Sequence, residues 1–172
     1  MRRRARGMQV PAVVVSLMAL VACTPAATVE SPRPARPVGQ VTFPSGRGFF
    51  VDLAITPAEQ ARGYMGRSEI RDDEGILFHG DGPRVRRFWM KNCLVPIDMI
   101  WLDQDYRVLF IEHSAPPCRE DPCPGFGPLF PTTHVLEVKG GIAAAEKLAV
   151  GERLRVVTDP IPPAGPAPGS PY

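Results

Sequence analysis

The chain has 172 residues, 44% hydrophobic and 22% charged, enough for one ordinary globular domain to bury a core without metal ions or multiple disulfides. Its formal net charge of +2 hides an asymmetry, because Arg2, Arg3, Arg4 and Arg6 stand at the extreme N-terminus and leave 16 basic against 18 acidic residues beyond them, a balance of −2. That remainder offers no clustered Lys/Arg face, which argues against a nucleic-acid partner.

Residues 1–22 join the four arginines to an apolar run, Val10 to Val21, interrupted only by Pro11 and Ser16, with small Ala22 before Cys23. This is the layout of a secretory signal peptide. Twelve residues rise about 18 Å as a helix, short of a hydrocarbon core of about 30 Å, so the segment reads as an export device, not a membrane span. Leu20-Val21-Ala22-Cys23 resembles the lipobox of bacterial lipoproteins, which implies cleavage before Cys23, lipid attachment to it, and a membrane partner through that lipid. A plain signal peptide or an uncleaved anchor is the alternative. Thr24 is not the aspartate that retains many lipoproteins at the inner membrane, which favours the periplasmic side of the outer membrane in a Gram-negative cell.

Residues 23–39 hold four prolines after the cysteine and little to bury, and read as an extended tether. Residues 160–172 hold six prolines and read as a disordered tail. Between them, residues 40–159 form the expected single domain. Gln40–Phe43 and Gly48–Ile55 flank Pro44-Ser45-Gly46-Arg47 and predict an opening hairpin. Thr56-Pro57-Ala58-Glu59 combines an N-cap threonine, proline at the first helical position and glutamate at the third, so a short helix is predicted from Pro57 to about Gly63. Ile76–His79 is a short apolar run closed by Gly80-Asp81-Gly82-Pro83.

Strands are predicted at Val85–Asn92, Asp98–Asp103 and Arg107–His113, the last two as a hairpin about Gln104-Asp105. A loop rich in proline, cysteine and glycine runs from Ser114 to Pro131. It is followed by a strand at His134–Val138, a helix at about Ile142–Leu148 and a closing strand at Arg153–Thr158. Many strands, two short helices and no strand–helix alternation predict a mainly β fold, an antiparallel sandwich or barrel-like domain.

Ala-Arg-Gly-Tyr-Met-Gly-Arg (61–67), Gly-Ile-Leu-Phe (75–78), Phe-Trp-Met-Lys-Asn (88–92), Pro-Ile-Asp-Met-Ile (96–100), Pro-Cys (117–118), Pro-Cys-Pro (122–124) and Val-Leu-Glu-Val (135–138) follow in this order. With them the chain resembles the bacterial and archaeal DUF192 family over about Gly48 to Val157. The resemblance implies a mainly β, sandwich-like fold and frequent export signals, and no established function. Where that family usually has threonine after Lys-Asn, this chain has Cys93.

The stretch Phe88–Asp103 holds both tryptophans and sets Lys91, Asn92 and Asp98 among large apolar side chains, where a polar group needs a partner or a solvated pocket. Strand alternation places Phe88, Met90 and Asn92 on one face and Trp89, Lys91 and Cys93 on the other. Arg62, Trp89, Lys91, Asn92, Asp98 and Glu137 are therefore the candidate ligand-binding residues, with Trp89 as an aromatic wall. The competing structural reading is a polar network of Lys91, Asp98 and Arg62 or Glu137 that fixes the sheet's register.

Cys118 and Cys123 enclose four residues in a compartment that oxidises thiols, which predicts a loop-shaping disulfide more readily than a redox pair. His79, His113 and His134 stand singly, without metal-site spacing, and no metal, cofactor or catalytic residue is assigned. An envelope-facing binding domain for a small molecule, polymer or protein is the leading expectation. A hydrolase using Asp98 or Glu137, or a thiol enzyme using Cys93 or the Cys118/Cys123 pair, is the alternative.

Overall fold

Gly46 takes φ 92°, and Phe43 N and O bond Arg47 O at 2.8 Å and Gly46 N at 2.9 Å, so the predicted opening turn folds the chain back on itself. In the computed structural model, which describes residues 38–158, this turn joins β1 (Val38–Thr42) and β2 (Gly48–Ala54) as an antiparallel pair. Residues 1–22, read as a signal peptide, Cys23 and residues 160–172 lie outside the described residues. β1 begins two residues before the expected boundary, inside the segment read as tether.

Helix α1 (Pro57–Arg62) starts where the capping sequence places it: Thr56 Oγ1 accepts from Glu59 N at 3.3 Å, and Glu59 Oε2 accepts from Thr56 N at 2.8 Å. Each satisfied cap stabilises the helix start by about 1 kcal/mol. The helix buries no residue of its own and carries the chain across to β3 (Glu74–Phe78), which pairs parallel to β2. That parallel pair departs from the purely antiparallel expectation, because a helical crossover returns the chain in the same direction.

The remaining strands are β4 (Phe88–Trp89), β5 (Ile97–Leu102), β6 (Val108–Ala115), β7 (Gly125–Phe126), β8 (His134–Lys139) and β9 (Arg155–Thr158), with α2 (Ile142–Ala145) after β8. Seven strands form one mixed sheet in the order β6-β5-β8-β3-β2-β1-β9, and β4 and β7 form a separate ribbon. Val108 N donates to Glu152 O at 2.7 Å and Gly151 N to Val108 O at 2.8 Å, which draws the sheet's two edges together at one corner without closing a barrel. The fold is mainly β and sandwich-like, with two short helices.

Both sheet faces are covered. Phe49, Val51, Leu53, Leu77, Ile100, Leu102, Leu136 and Val138 form one core with Ile142 and Ala143 of α2. Ala54, Ile76, Phe78, Ile97, Met99, Trp101 and Val135 form the other, under Tyr64, Ile70, Met90 and Cys93 from the connecting segments. Every residue of β5 is buried, and full burial of each large apolar side chain contributes roughly 1.5–3 kcal/mol.

The long strand expected at Val85–Asn92 is only the two residues of β4. Met90 O accepts from both Cys93 N (3.2 Å) and Cys118 N (3.1 Å), and Asn92 adopts φ 57°, so the backbone turns out of any ladder. Alternation holds through Lys91 and then reverses, with Asn92 exposed and Cys93 buried. β4 does not pair with β5, whose neighbours are β6 and β8. The 114–131 loop contains β7 opposite β4, and α2 stops at Ala145, short of the predicted Leu148.

Candidate functional site

The expected convergence of Lys91 and Asp98 does not occur. Lys91 Nζ bonds Asp121 at 2.6 Å, within the loop that the Cys118–Cys123 disulfide closes. Asp98 is fully buried, and its carboxylate accepts from three backbone amides, Ser114 N at 2.7 Å, Gly141 N at 2.9 Å and Ala143 N at 2.7 Å. Gly141, in left-handed geometry, has no side chain to cap α2, so the strand carboxylate does it from across the fold. Asp98 is thus a structural clamp. Period-two alternation sends it to the face opposite Met99 and Glu137.

Arg62 is exposed at the end of α1, and Asn92 is exposed, its carbonyl accepting from Gly66 N at 2.8 Å. None of the six candidates lines either main surface recess. One of these, of about 300 Å³, is bordered by Glu69, Val95, Ser114, Lys139 and Gly140. The other lies at Asp105, Tyr106 and Arg153–Val156.

Two arrangements remain. The first is the outward face of the β4 segment, where Val85, Arg87 and Trp89 alternate in exposure with Arg86 and Phe88. Trp89 is 51% exposed, and its cross-strand neighbour is Gly125. The Arg87 guanidinium donates to Gly125 O and stands 3.1 Å from where a side chain at Gly125 would begin. Lys91 Nζ lies 5.5 Å from the Trp89 ring centre, within cation–π range. Beneath this face Phe88 packs edge-on against Phe78 and Trp101, so the exposed ring sits on a braced support. Leu129 and Phe130, which precede the Arg84–Thr132 bridge in sequence, are also exposed.

The second arrangement lies under the turn after α1. Strand register sets Asp52, Ile76, Glu137 and Met99 in one row across the sheet. Gly63 passes over it so closely that a side chain there would meet Glu137 Oε2 at 3.4 Å and Phe78 at 3.3 Å. Burial pushes the Glu137 carboxyl up to about 8, because a charge without a counter-ion is disfavoured in a low-dielectric site. Burial likewise raises the Tyr64 phenol, with Glu74 and Glu137 adding to it, and pushes the Cys93 thiol up to about 11, with Glu137 adding. Buried and protonated, Cys93 has little nucleophilic character. Of the six candidate residues only Glu137 belongs to this cluster. Tyr64 and Cys93 were missed as its partners because sequence alone does not say which loop folds over which strand.

His79 and His134, expected singly, are brought together by the pairing of β3 with β8, with ring centres 4.7 Å apart, and Tyr106 stacks on His134. His134 Nδ1 accepts from Gly80 N at 3.2 Å, and burial, then His79 and Arg86, hold its pKa down to about 4. Among the described residues no three His, Cys, Asp or Glu side chains gather to hold a metal ion.

The profile of DUF192, described as an uncharacterized ACR, matches residues 41–156. A crystal structure of a protein of unknown function from Novosphingobium aromaticivorans superposes with a TM-score of 0.62 at 35% identity, covering 71% of this chain and 94% of that one. A Sinorhizobium meliloti protein described as a candidate transcription regulator superposes with a TM-score of 0.61 at 28% identity and the same coverages. No curated protein matches.

Proposed function

The chain belongs to the uncharacterised DUF192 family, and we propose that it is a binding domain, exported and lipid-anchored through Cys23, that engages an acidic saccharide chain of the cell envelope on the Arg87–Trp89–Lys91 face. The observation that carries this reading is the half-exposed Trp89 on a braced ribbon, with Lys91 beside its ring and Arg87 two residues back on the same exposed face. A flat aromatic surface stacks on a sugar ring, the Arg87 guanidinium pairs with carboxylates, and the Lys91 ammonium does so in exchange for the exposed Asp121. The hydrolase alternative, Asp98 or Glu137, is weakened at Asp98, whose carboxylate holds three backbone amides, and the thiol alternative, Cys93 or the Cys118/Cys123 pair, at Cys93, whose thiol is buried with its pKa raised.

The chain has two tryptophans, and Trp101 is fully buried, so a ligand-dependent change in fluorescence reports on Trp89. Titration with polygalacturonate is expected to shift the emission, neutral dextran is not, and Trp89→Phe is expected to abolish the response. Equal behaviour of the acidic and neutral polymers refutes the saccharide reading. Incorporation of labelled fatty acid in the host, lost in Cys23→Ala, tests the anchor separately.

A further inference from the structure

Among the buried polar atoms of the second face, Tyr64 Oη and Glu137 Oε2 have no hydrogen-bond partner among the described residues. Tyr64 is 2% exposed and Glu137 4%, and the phenol lies within electrostatic reach of the carboxyl. Buried polar atoms are satisfied in the great majority of cases, and a pair left open in one place points to an occupant. The surroundings fix its sign. Glu74 faces the same region from β3, bridged to Arg67 and, at 3.7 Å, to Arg71, and Asp52 on β2 has an interaction of its own. Tyr64 and Cys93 contribute neutral hydroxyl and thiol groups from the covering segments, and β5 contributes apolar Met99. Glu137 is therefore the carboxyl of this cluster that has no partner of any kind among the described residues.

We propose that the two open atoms under the turn at Gly63 bind one monovalent cation, an alkali ion or the ammonium head of a small ligand, with Glu137 as its counter-ion and Tyr64 Oη as a neutral oxygen donor. One open carboxylate matches one positive charge, whereas a divalent ion would leave a charge buried without a partner. The bare carboxyl carries a proton at neutral pH, since burial raises its pKa to about 8. On binding, that proton leaves to solvent as the cation takes its place, so charge balances. The site shares no residue with the Trp89 face and is independent of the saccharide reading.

Full-length protein is titrated at constant ionic strength with sodium, potassium or methylammonium chloride against bulky tetraethylammonium chloride. The small cations are expected to raise the melting temperature at pH 8.5 and to act more weakly at pH 5.5, where the proton competes, and each binding event near pH 7 should release close to one proton. Glu137→Gln is expected to remove both effects. Tyr64→Phe, which keeps the ring in the core, should weaken binding roughly tenfold, the value of one hydrogen bond to a charged site. A response to sodium or potassium assigns a resident ion, and a response to methylammonium alone assigns a ligand's ammonium group. Identical responses of the wild type and Glu137→Gln to every cation, or none from either, overturn the proposal and leave a structural water at the two open atoms.

Discussion

Glu137→Gln separates a carboxyl kept for binding from one kept for stability. In the unfolded chain the carboxyl titrates near 4.5 and in the folded protein near 8, so the folded state binds the extra proton and stability falls as pH rises through that window. At 1.36 kcal/mol per unit, the ionisation penalty at pH 7 is about 3 kcal/mol and at pH 5 under about 1 kcal/mol. Gln cannot titrate, although its amide still needs partners, so the informative quantity is the pH dependence of the difference and not its value at one pH. Urea unfolding of both proteins at pH 5 and pH 7, with tetraethylammonium as the only cation, should show the wild type losing about 2 to 3 kcal/mol relative to Glu137→Gln. A difference that is flat with pH would mean that the buried carboxyl has found a partner, and the reasoning about the Glu137 site would fail with it.

Asp98→Ala leaves three backbone amides, that of Ala143 buried, without their acceptor and removes the α2 cap, so chemical denaturation should reveal a loss of about 3 to 5 kcal/mol with no effect on Trp89 fluorescence in the folded state. His134 is held neutral, its pKa lowered from 6.5 to about 4. Its contribution is therefore present above pH 6.5 and lost as pH falls toward 4, and the wild type should lose up to about 3 kcal/mol over that range relative to His134→Phe. Cys93, buried with its thiol near 11, should react with a disulfide-exchange reagent at pH 8 at least about 100-fold more slowly in the native than in the denatured protein. Fast native labelling would restore the thiol-enzyme reading.

Local chemistry wrote the features that were legible in advance. The Thr56–Glu59 capping box needs four consecutive residues and forms as expected. The Gly46 turn and the short spacing of Cys118 and Cys123 also act within a few residues, and so survive any tertiary arrangement. The mainly β class followed from the same local signals. Strand partnership did not. Phe88–Trp89 and Ile97–Leu102 lie close in sequence and are largely apolar, yet a left-handed Asn92 and a doubly used Met90 carbonyl send them into different sheets. Lys91 and Asp98 therefore never meet.

The same reason governs the candidate sites. Asp98 and Glu137 are equally conspicuous as acids in apolar runs, and no periodicity tells them apart. Only the fold decides that three amides of the β6 and α2 segments converge on Asp98, while a glycine turn and a phenol, neither offering a hydrogen bond, close over Glu137. The sequence by itself determined the helix cap, the turns, the disulfide and the apolar strands, because each depends on neighbours along the chain. The tertiary structure alone decided which buried acid is satisfied and which is open, because the solvation of a carboxyl is set by groups that arrive from distant parts of the chain.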